Sequence, residues 1–195
     1  MTEPARSVGG VLLAPGAGGD PDHHTLVALE GALAPLPVRR PGYPHRSGGR
    51  RAPPPRAERL VPFIAEQAAA MCAEESIDPA SLVLGGRSMG GRICSLAVAD
   101  GLPAAGLILL SYPLHPPRRP ENLRVAHFDR LTVPCLFVGG DRDPFGSPEE
   151  FAVHTAAIPG AVSHVWLPGR GHDTRSADDK AVIDAVRRWL VRPAG

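Results

Sequence analysis

A serine between glycines offers the clearest chemistry in this chain of 195 residues. It lies in a Gly-x-Ser-x-Gly pentapeptide, Gly86 to Gly90, which follows the apolar run Leu82 to Gly85 and precedes an apolar pattern of helical period. A nucleophile on a sharp strand-to-helix turn needs very small residues two positions before and after it, because larger side chains collide there. The turn exposes the hydroxyl beside a helix N-terminus, which favours developing negative charge. The segment therefore predicts Ser88 as a nucleophile.

A serine hydroxyl attacks well only when a base takes its proton, and the base needs a partner that orients it. Among eight histidines, His172 is the predicted base, because it lies in a loop between a strand and the last helix. The flanking Gly169 and Gly171 let that loop bend the ring toward the sheet edge. Five others lie in or beside helices and strands, where a solvated or core role is expected: His23, His24, His127, His154 and His164.

The orienting carboxylate is expected after another strand, between nucleophile and base. Asp141 follows such a strand directly, whereas Asp143 lies further into the loop and is held by the rigid Pro144. Reaching toward His172 suits the later residue, so Asp143 is preferred, and Asp141 is expected to form the turn.

A tetrahedral oxyanion needs two N–H donors. The backbone of Met89, directly after the serine, is one predicted donor, and the glycine-rich loop after the first strand offers Ala17 as the other. The same loop could instead be a flexible turn or a dinucleotide-binding turn. The dinucleotide fingerprint fails because the position for its third glycine holds Pro21, and no phosphate-binding Gly-x-x-x-x-Gly-Lys segment exists. We therefore expect neither a cofactor nor a metal.

Short apolar runs that alternate with helical periods must position these loops. The pattern predicts strands at 8–14, 37–40, 82–85, 106–110, 134–138 and 162–167, and helices at 22–34, 56–75, 148–157, 177–191 and directly after the serine. This order predicts a single α/β domain over residues 1–195, a three-layer αβα sandwich with a mostly parallel sheet. Sites in such sheets lie at the carboxyl ends of strands. Four loops meet there: 15–20, 85–90, 139–147 and 168–173.

Composition excludes several classes of function. The formal net charge of +1 and the small number of aromatic residues argue against nucleic acid as a partner. No apolar run reaches the length of a membrane span, and the first residues do not resemble a signal peptide. Three scattered cysteines, Cys72, Cys94 and Cys135, are typical of reduced thiols, which predicts a cytoplasmic protein without a zinc framework.

The chain resembles the α/β-hydrolase superfamily over essentially its whole length. Within it, the chain looks like the small, lidless dienelactone-hydrolase-like branch, and is similar to a domain shared by testis-expressed protein 30 and the third subunit of the NSL chromatin complex. The segments that carry the resemblance are 13–18, 86–92, 112–117, 142–146 and 171–172. The resemblance implies a minimal fold without the first antiparallel strands, and a triad of Ser88, Asp143 and His172. Many relatives have His-Gly where this chain has Pro15-Gly16.

The expected activity is hydrolysis of small ester or thioester substrates through an acyl-enzyme. The alternative is a catalytically weak or inactive interaction module, because some relatives in this branch serve as scaffolds. The stretch after residue 110 is too short for a lid, which predicts an open pocket in a monomer or homodimer. We expect substrate contacts from Gly16, Tyr112 and His115, although His115 could equally be a simple loop residue.

Seven arginines in and around the loop 41–55 leave two interpretations open. They could attract an anionic substrate or partner, or form a solvated edge in an arginine-biased proteome. They are Arg39, Arg40, Arg46, Arg50, Arg51, Arg56 and Arg59.

Overall fold

A computed structural model describes residues 8–44 and 55–191. In these residues six parallel strands form one sheet in the order β2-β1-β3-β4-β5-β6. The strands are β1 Gly10–Ala14, β2 Val38–Arg39, β3 Leu82–Arg87, β4 Gly106–Leu110, β5 Cys135–Gly140 and β6 Val162–Leu167. Because all six run the same way, their carboxyl ends lie along one edge, and the four predicted loops meet there.

Five α-helices of the described residues cover both faces of the sheet. They are α1 His24–Leu33, α2 Val61–Glu75, α3 Met89–Ala99, α4 Pro148–Thr155 and α5 Asp179–Leu190. Side chains of α1 and α5 share one apolar cluster with alternate strand residues such as Val83 and Ile108. Side chains of α2, α3 and α4 share a second cluster with the intervening residues, such as Leu84 and Leu107. This two-sided burial explains the continuous apolar strand runs and confirms the three-layer αβα sandwich.

Two strands extend further than their apolar runs predicted. β3 continues through Gly86 and Arg87, which pair with β4. β5 continues through Gly139 and Gly140, which pair with β6. Glycine hides a strand from sequence patterns because it has no side chain to contribute to the period. The consequence is functional, because Ser88 and Asp141 directly follow the ends of paired strands.

Helix α2 begins later than the sequence predicted. Residues Ala57–Leu60 form a 3-10 turn, and the α-helix starts at Val61 with Pro62 in its first turn. Proline has no N–H to donate, so it fits the first turn and not the interior of a helix. The stretch 111–134 contains the short 3-10 turn Phe128–Arg130 and no inserted helical domain. None of the helices in the described ranges is long and apolar enough to cross a membrane.

A second serine–histidine pair lies inside the core, away from the sheet edge. Nε2 of His127 lies 2.8 Å from Oγ of Ser95, and both residues are buried. Burial, followed by the charge of Arg92, lowers the pKa of His127 to about 4, so its ring is neutral at pH 7. This pair is therefore structural, as the sequence indicated for His127.

The buried ring of His127 predicts a loss of stability in mild acid. In the unfolded chain His127 takes up a proton near its ordinary pKa of about 6.5. In the folded protein the same ring takes up a proton only near pH 4. Protons therefore favour the unfolded chain in this window, and stability falls as the pH drops through it, by on the order of 3 kcal/mol. Urea unfolding at several pH values measures the effect. His127→Gln should flatten this part of the profile; an identical slope in variant and wild type would show that another group is responsible.

Candidate active site

Ser88 occupies the turn between β3 and α3 with a strained backbone. Its φ of 51° and ψ of −116° lie in a region that residues with side chains seldom adopt. The turn is held because the Ser88 N–H donates to the carbonyl of Leu110 at 2.7 Å. Strain of this kind persists only where the surroundings enforce it, and here it lifts the hydroxyl out of the end of the sheet.

The glycines on either side of the turn are required by the end of β1. A Cβ on Gly86 would lie 2.1 Å from the carbonyl oxygen of Ala14, and a Cβ on Gly90 would lie 2.2 Å from the same oxygen. Both contacts are with backbone, which cannot move aside cheaply. The Gly-x-Ser-x-Gly spacing thus follows from the packing of the turn against β1.

Three predicted residues come together in one chain of hydrogen bonds. Nε2 of His172 lies 2.9 Å from Oγ of Ser88, and Nδ1 of the same ring lies 2.8 Å from Oδ2 of Asp143. Asp143 is buried, with 8% of its surface exposed. With Asp143 ionised, the proton of the neutral ring belongs on Nδ1, which leaves Nε2 free to accept from the serine. This geometry lets the ring take a proton from Ser88.

The two aspartates after β5 have different partners. The second carboxylate oxygen of Asp143 accepts from the backbone N–H of Phe145 at 2.9 Å, which fixes the carboxylate toward His172. Asp141 is exposed, and its Oδ1 accepts from the N–H of Gly169 at 2.7 Å. The Asp141 side chain therefore joins its own loop to the loop that carries Gly169.

Contacts from three directions hold the loop of His172. The guanidinium of Arg87, the residue before the nucleophile, donates to the His172 carbonyl at 3.3 Å and forms an ion pair with Asp173. The ring of Phe145 packs against the His172 ring with centroids 4.0 Å apart. Further along, Nε2 of His24 lies 3.1 Å from the carbonyl oxygen of Thr174. These contacts fix the His172 ring beside Ser88.

The glycine-rich loop after β1 lies across from the serine. Ala17 and Met89 both line the cavity that contains Ser88. As the first residue of α3, Met89 has an N–H with no acceptor one turn earlier in its helix. Pro15 accepts a hydrogen bond through its carbonyl from the buried hydroxyl of Tyr43 at 2.8 Å. Tyr43 thereby braces this loop from behind.

Ser88 and His172 lie in a cavity of about 610 Å³, within the usual range for small-molecule sites. Phe145, Pro113 and Met89 are apolar lining residues, as are Pro55 and Ala57. The rest of the lining is mainly the glycine-rich loop after β1 and charged side chains. Of the predicted loop 41–55, Pro55 lines the cavity, and residues 45–54 lie outside the described residues.

None of the three residues expected to contact the substrate is among those that line the cavity. Tyr112 is 2% exposed, packs on Phe128 and Phe137, and donates to the Arg124 carbonyl, so it is a core residue. His115 is 5% exposed, with its ring beside the Pro116 carbonyl and Glu150, and it does not line the cavity. Gly16 lies beside the elbow, where a Cβ would be 3.8 Å from that of Ser88, but its neighbours Ala17 and Gly18 line the cavity instead.

The seven arginines of the sequence hypothesis do not form one group around the cavity. Arg39 and Arg40 are engaged in ion pairs with Glu74 and with Asp22 and Glu30, and Arg59 is exposed away from the cavity. Arg46, Arg50 and Arg51 lie outside the described residues. Of the seven, Arg56 lines the cavity. Sequence reasoning missed its companions Arg87, Arg92 and Arg124. Arg87 lies inside the Gly-x-Ser-x-Gly motif and Arg92 follows it closely, which was the available signal, whereas nothing local marks Arg124.

Comparisons with known proteins agree with this architecture. The model of a family described as alpha/beta hydrolase domain matches residues 8–184. Est1E from Butyrivibrio proteoclasticus is 19% identical, with a TM-score of 0.72 over 95% of this chain and 88% of that chain. A hydrolase of the alpha/beta superfamily from Xanthomonas campestris pv. campestris is 22% identical, with a TM-score of 0.68 over 93% and 98%.

A further similar structure is an alpha-beta serine hydrolase homologue from Coxiella burnetii. It is 19% identical to this chain, with a TM-score of 0.68 over 100% of this chain and 89% of that chain. At such identities the three likenesses establish the fold alone. Together with the sheet order, they confirm the minimal α/β-hydrolase fold, with no lid domain within residues 8–44 and 55–191.

Proposed function

The chain belongs to the alpha/beta hydrolase domain family, and from this premise we propose that it is a serine hydrolase of small ester or thioester substrates. Family membership supports hydrolytic chemistry in general. The finer proposal depends on one observation, the hydrogen-bonded series Ser88, His172 and Asp143 on the wall of an open cavity. A protein that serves only as a scaffold has no need of all three groups in this geometry.

In the first half of the reaction, Oγ of Ser88 attacks the substrate carbonyl carbon while Nε2 of His172 takes the hydroxyl proton. Asp143 stabilises the imidazolium that forms and keeps its ring oriented. The tetrahedral intermediate then collapses. The bond to the alkoxide or thiolate leaving group breaks, and His172 donates to that group the proton it took from Ser88. An acyl ester of Ser88 remains.

The second half repeats these steps with water. His172 takes a proton from the water as it attacks the acyl carbon, and then returns that proton to Oγ of Ser88, which releases the carboxylic acid. In both halves negative charge develops on the former carbonyl oxygen. We assign its stabilisation to the N–H groups of Met89 and Ala17, and a donor of this kind contributes about 3 kcal/mol to the transition state.

Three narrower points belong to the same proposal. The absence of a lid among the described residues suits small substrates that enter directly from solvent. Cys72, Cys94 and Cys135 are buried thiols that form no disulfide with one another, which suits a reducing cytoplasm. The resemblance to the dienelactone-hydrolase-like branch, and the choice between monomer and homodimer, stay predictions.

The proposal is tested with a fluorophosphonate probe and two chromogenic esters, p-nitrophenyl acetate and p-nitrophenyl butyrate. We expect the wild-type protein to be labelled and to hydrolyse both esters, and Ser88→Ala to lose the label. If the folded wild type neither reacts with the probe nor turns over either ester, the proposal is wrong, and the fold would instead serve as a non-catalytic interaction module.

A further inference from the structure

The cavity beside Ser88 carries an unbalanced positive charge. Among the described residues, four arginines line it and a single carboxylate, Glu58, accompanies them. The arginines are Arg56, Arg87, Arg92 and Arg124. A small ester without charge requires no such surroundings, since catalytic charge stabilisation comes from backbone N–H groups. The excess therefore needs its own explanation.

Two of these arginines already have anionic partners. Arg87 is paired with Asp173, and Arg92 is paired with Glu58. Both pairs have structural purposes, since the first holds the loop of His172 and the second joins α3 to the 3-10 turn of Ala57–Leu60. These guanidinium groups are thus largely neutralised by the protein itself.

Arg124 differs, because no carboxylate of the described residues forms an ion pair with it. Its backbone is held at both ends, since its N–H donates to the Leu114 carbonyl and its own carbonyl accepts from the hydroxyl of Tyr112. Its half-buried guanidinium, however, makes no hydrogen bond or ion pair with residues 8–44 or 55–191. Burial and then the nearby charge of Arg92 lower the pKa of this guanidinium. The fold thus holds the positive charge of Arg124 where partial burial and the charge of Arg92 both disfavour it. A bound anion would compensate for these two unfavourable effects.

We propose that the substrate carries an anionic oxygen group, a carboxylate or a phosphate, which binds to the guanidinium of Arg124 while the ester or thioester carbonyl lies at Ser88. The inference deepens the proposed hydrolase function and depends on it. Arginine presents a planar fork of donors that matches both kinds of anion. Arg56, exposed at the same cavity, adds to the attraction.

Matched ester pairs test the selectivity. Mono-p-nitrophenyl adipate carries a carboxylate on its acyl chain, and methyl p-nitrophenyl adipate is its neutral counterpart. 4-Butyryloxybenzoate and its methyl ester place the same contrast on the leaving group, and p-nitrophenyl 5-phosphonopentanoate tests a phosphate-like anion. We expect at least one anionic ester to exceed its neutral partner in kcat/KM, by roughly 10- to 100-fold for a charge-assisted hydrogen bond. The preferred anion identifies the natural group.

Variants assign the effect to one residue. Arg124→Gln should lower the ratio of kcat/KM for the anionic ester over the neutral one to near one, and Arg124→Lys should restore part of it. Arg119→Gln, an exposed arginine on the same segment that does not line the cavity, should keep the wild-type ratio. An equal ratio in wild type and Arg124→Gln, or a preference for neutral esters throughout, would overturn the proposal.

Calorimetry separates this proposal from the hydrolase assignment. Titration of monomethyl adipate and dimethyl adipate into Ser88→Ala measures anion binding without turnover. We expect Ser88→Ala to bind the monoester more tightly than the diester, and Ser88→Ala/Arg124→Gln to lose this preference. This result would support the anion site even if no ester is cleaved. Active hydrolysis without any anion preference in binding or turnover would leave the proposed function standing and refute the site.

Discussion

Replacing Ser88 with alanine is expected to lower kcat for p-nitrophenyl butyrate by roughly 10⁴-fold or more. The reason is that Oγ is the atom that bonds to the acyl carbon, and no other described residue lining the cavity carries a hydroxyl. Residual hydrolysis would come from binding and from the oxyanion donors alone. Steady-state kinetics on the purified variant, compared with the buffer rate, measures the effect.

Ser95→Ala is the matched control, because Ser95 also lies within hydrogen-bond distance of a histidine Nε2, at 2.8 Å from His127. That pair is buried in the core, so its loss should reduce stability and leave kcat within a few-fold of wild type. Circular dichroism and unfolding midpoints confirm that both variants are folded. Comparable losses of kcat in the two serine variants would argue against Ser88 as the specific nucleophile.

The second large effect is expected at the carboxylate that orients the base. Asp143→Asn should lower kcat by about 10⁴-fold, the size of loss that follows when a triad carboxylate becomes an amide. A neutral amide cannot stabilise the imidazolium of His172, and its NH₂ group favours the tautomer whose Nε2 cannot accept from Ser88. The Phe145 N–H can still find an oxygen in the variant, so the loop should keep its shape. Activity against p-nitrophenyl acetate measures the loss.

Asp141→Asn separates the two aspartates of the same loop. An asparagine oxygen can still accept from the N–H of Gly169, so this variant should keep activity within a few-fold of wild type. The opposite ranking, with Asp141→Asn inactive and Asp143→Asn active, would reverse the assignment of the orienting carboxylate.

The sheet and the position of the reactive loops could be predicted because their causes are local. Apolar runs bounded by turns identify parallel strands, and parallel strands place their following loops at one edge. Ser88, Asp143 and His172 each follow a strand in this way. The order of strands and loops along the chain was therefore enough to predict that the three residues lie at the same edge. The pentapeptide could be recognised for the same reason, because the close contact of the turn with the end of β1 requires glycine at both positions 86 and 90.

The cavity lining could not be predicted because it depends on where side chains turn after the sheet ends. Tyr112 and His115 follow β4 in a segment rich in proline, and nothing in their spacing reveals that both turn inward to the core. Arg124 comes from the irregular stretch that ends this segment and reaches the cavity through tertiary packing. Such positions are set by long-range contacts, which leave no periodic signal.

The proposed reaction requires an acyl-enzyme at Ser88, and that species can be observed directly. The protein is mixed with p-nitrophenyl butyrate, quenched in acid within the first turnover, digested and examined by mass spectrometry. We predict a butyryl ester on the peptide that contains Ser88, absent from the Ser88→Ala protein. Ester consumption with the acyl group on another residue, such as a cysteine, would show that Ser88 is not the nucleophile.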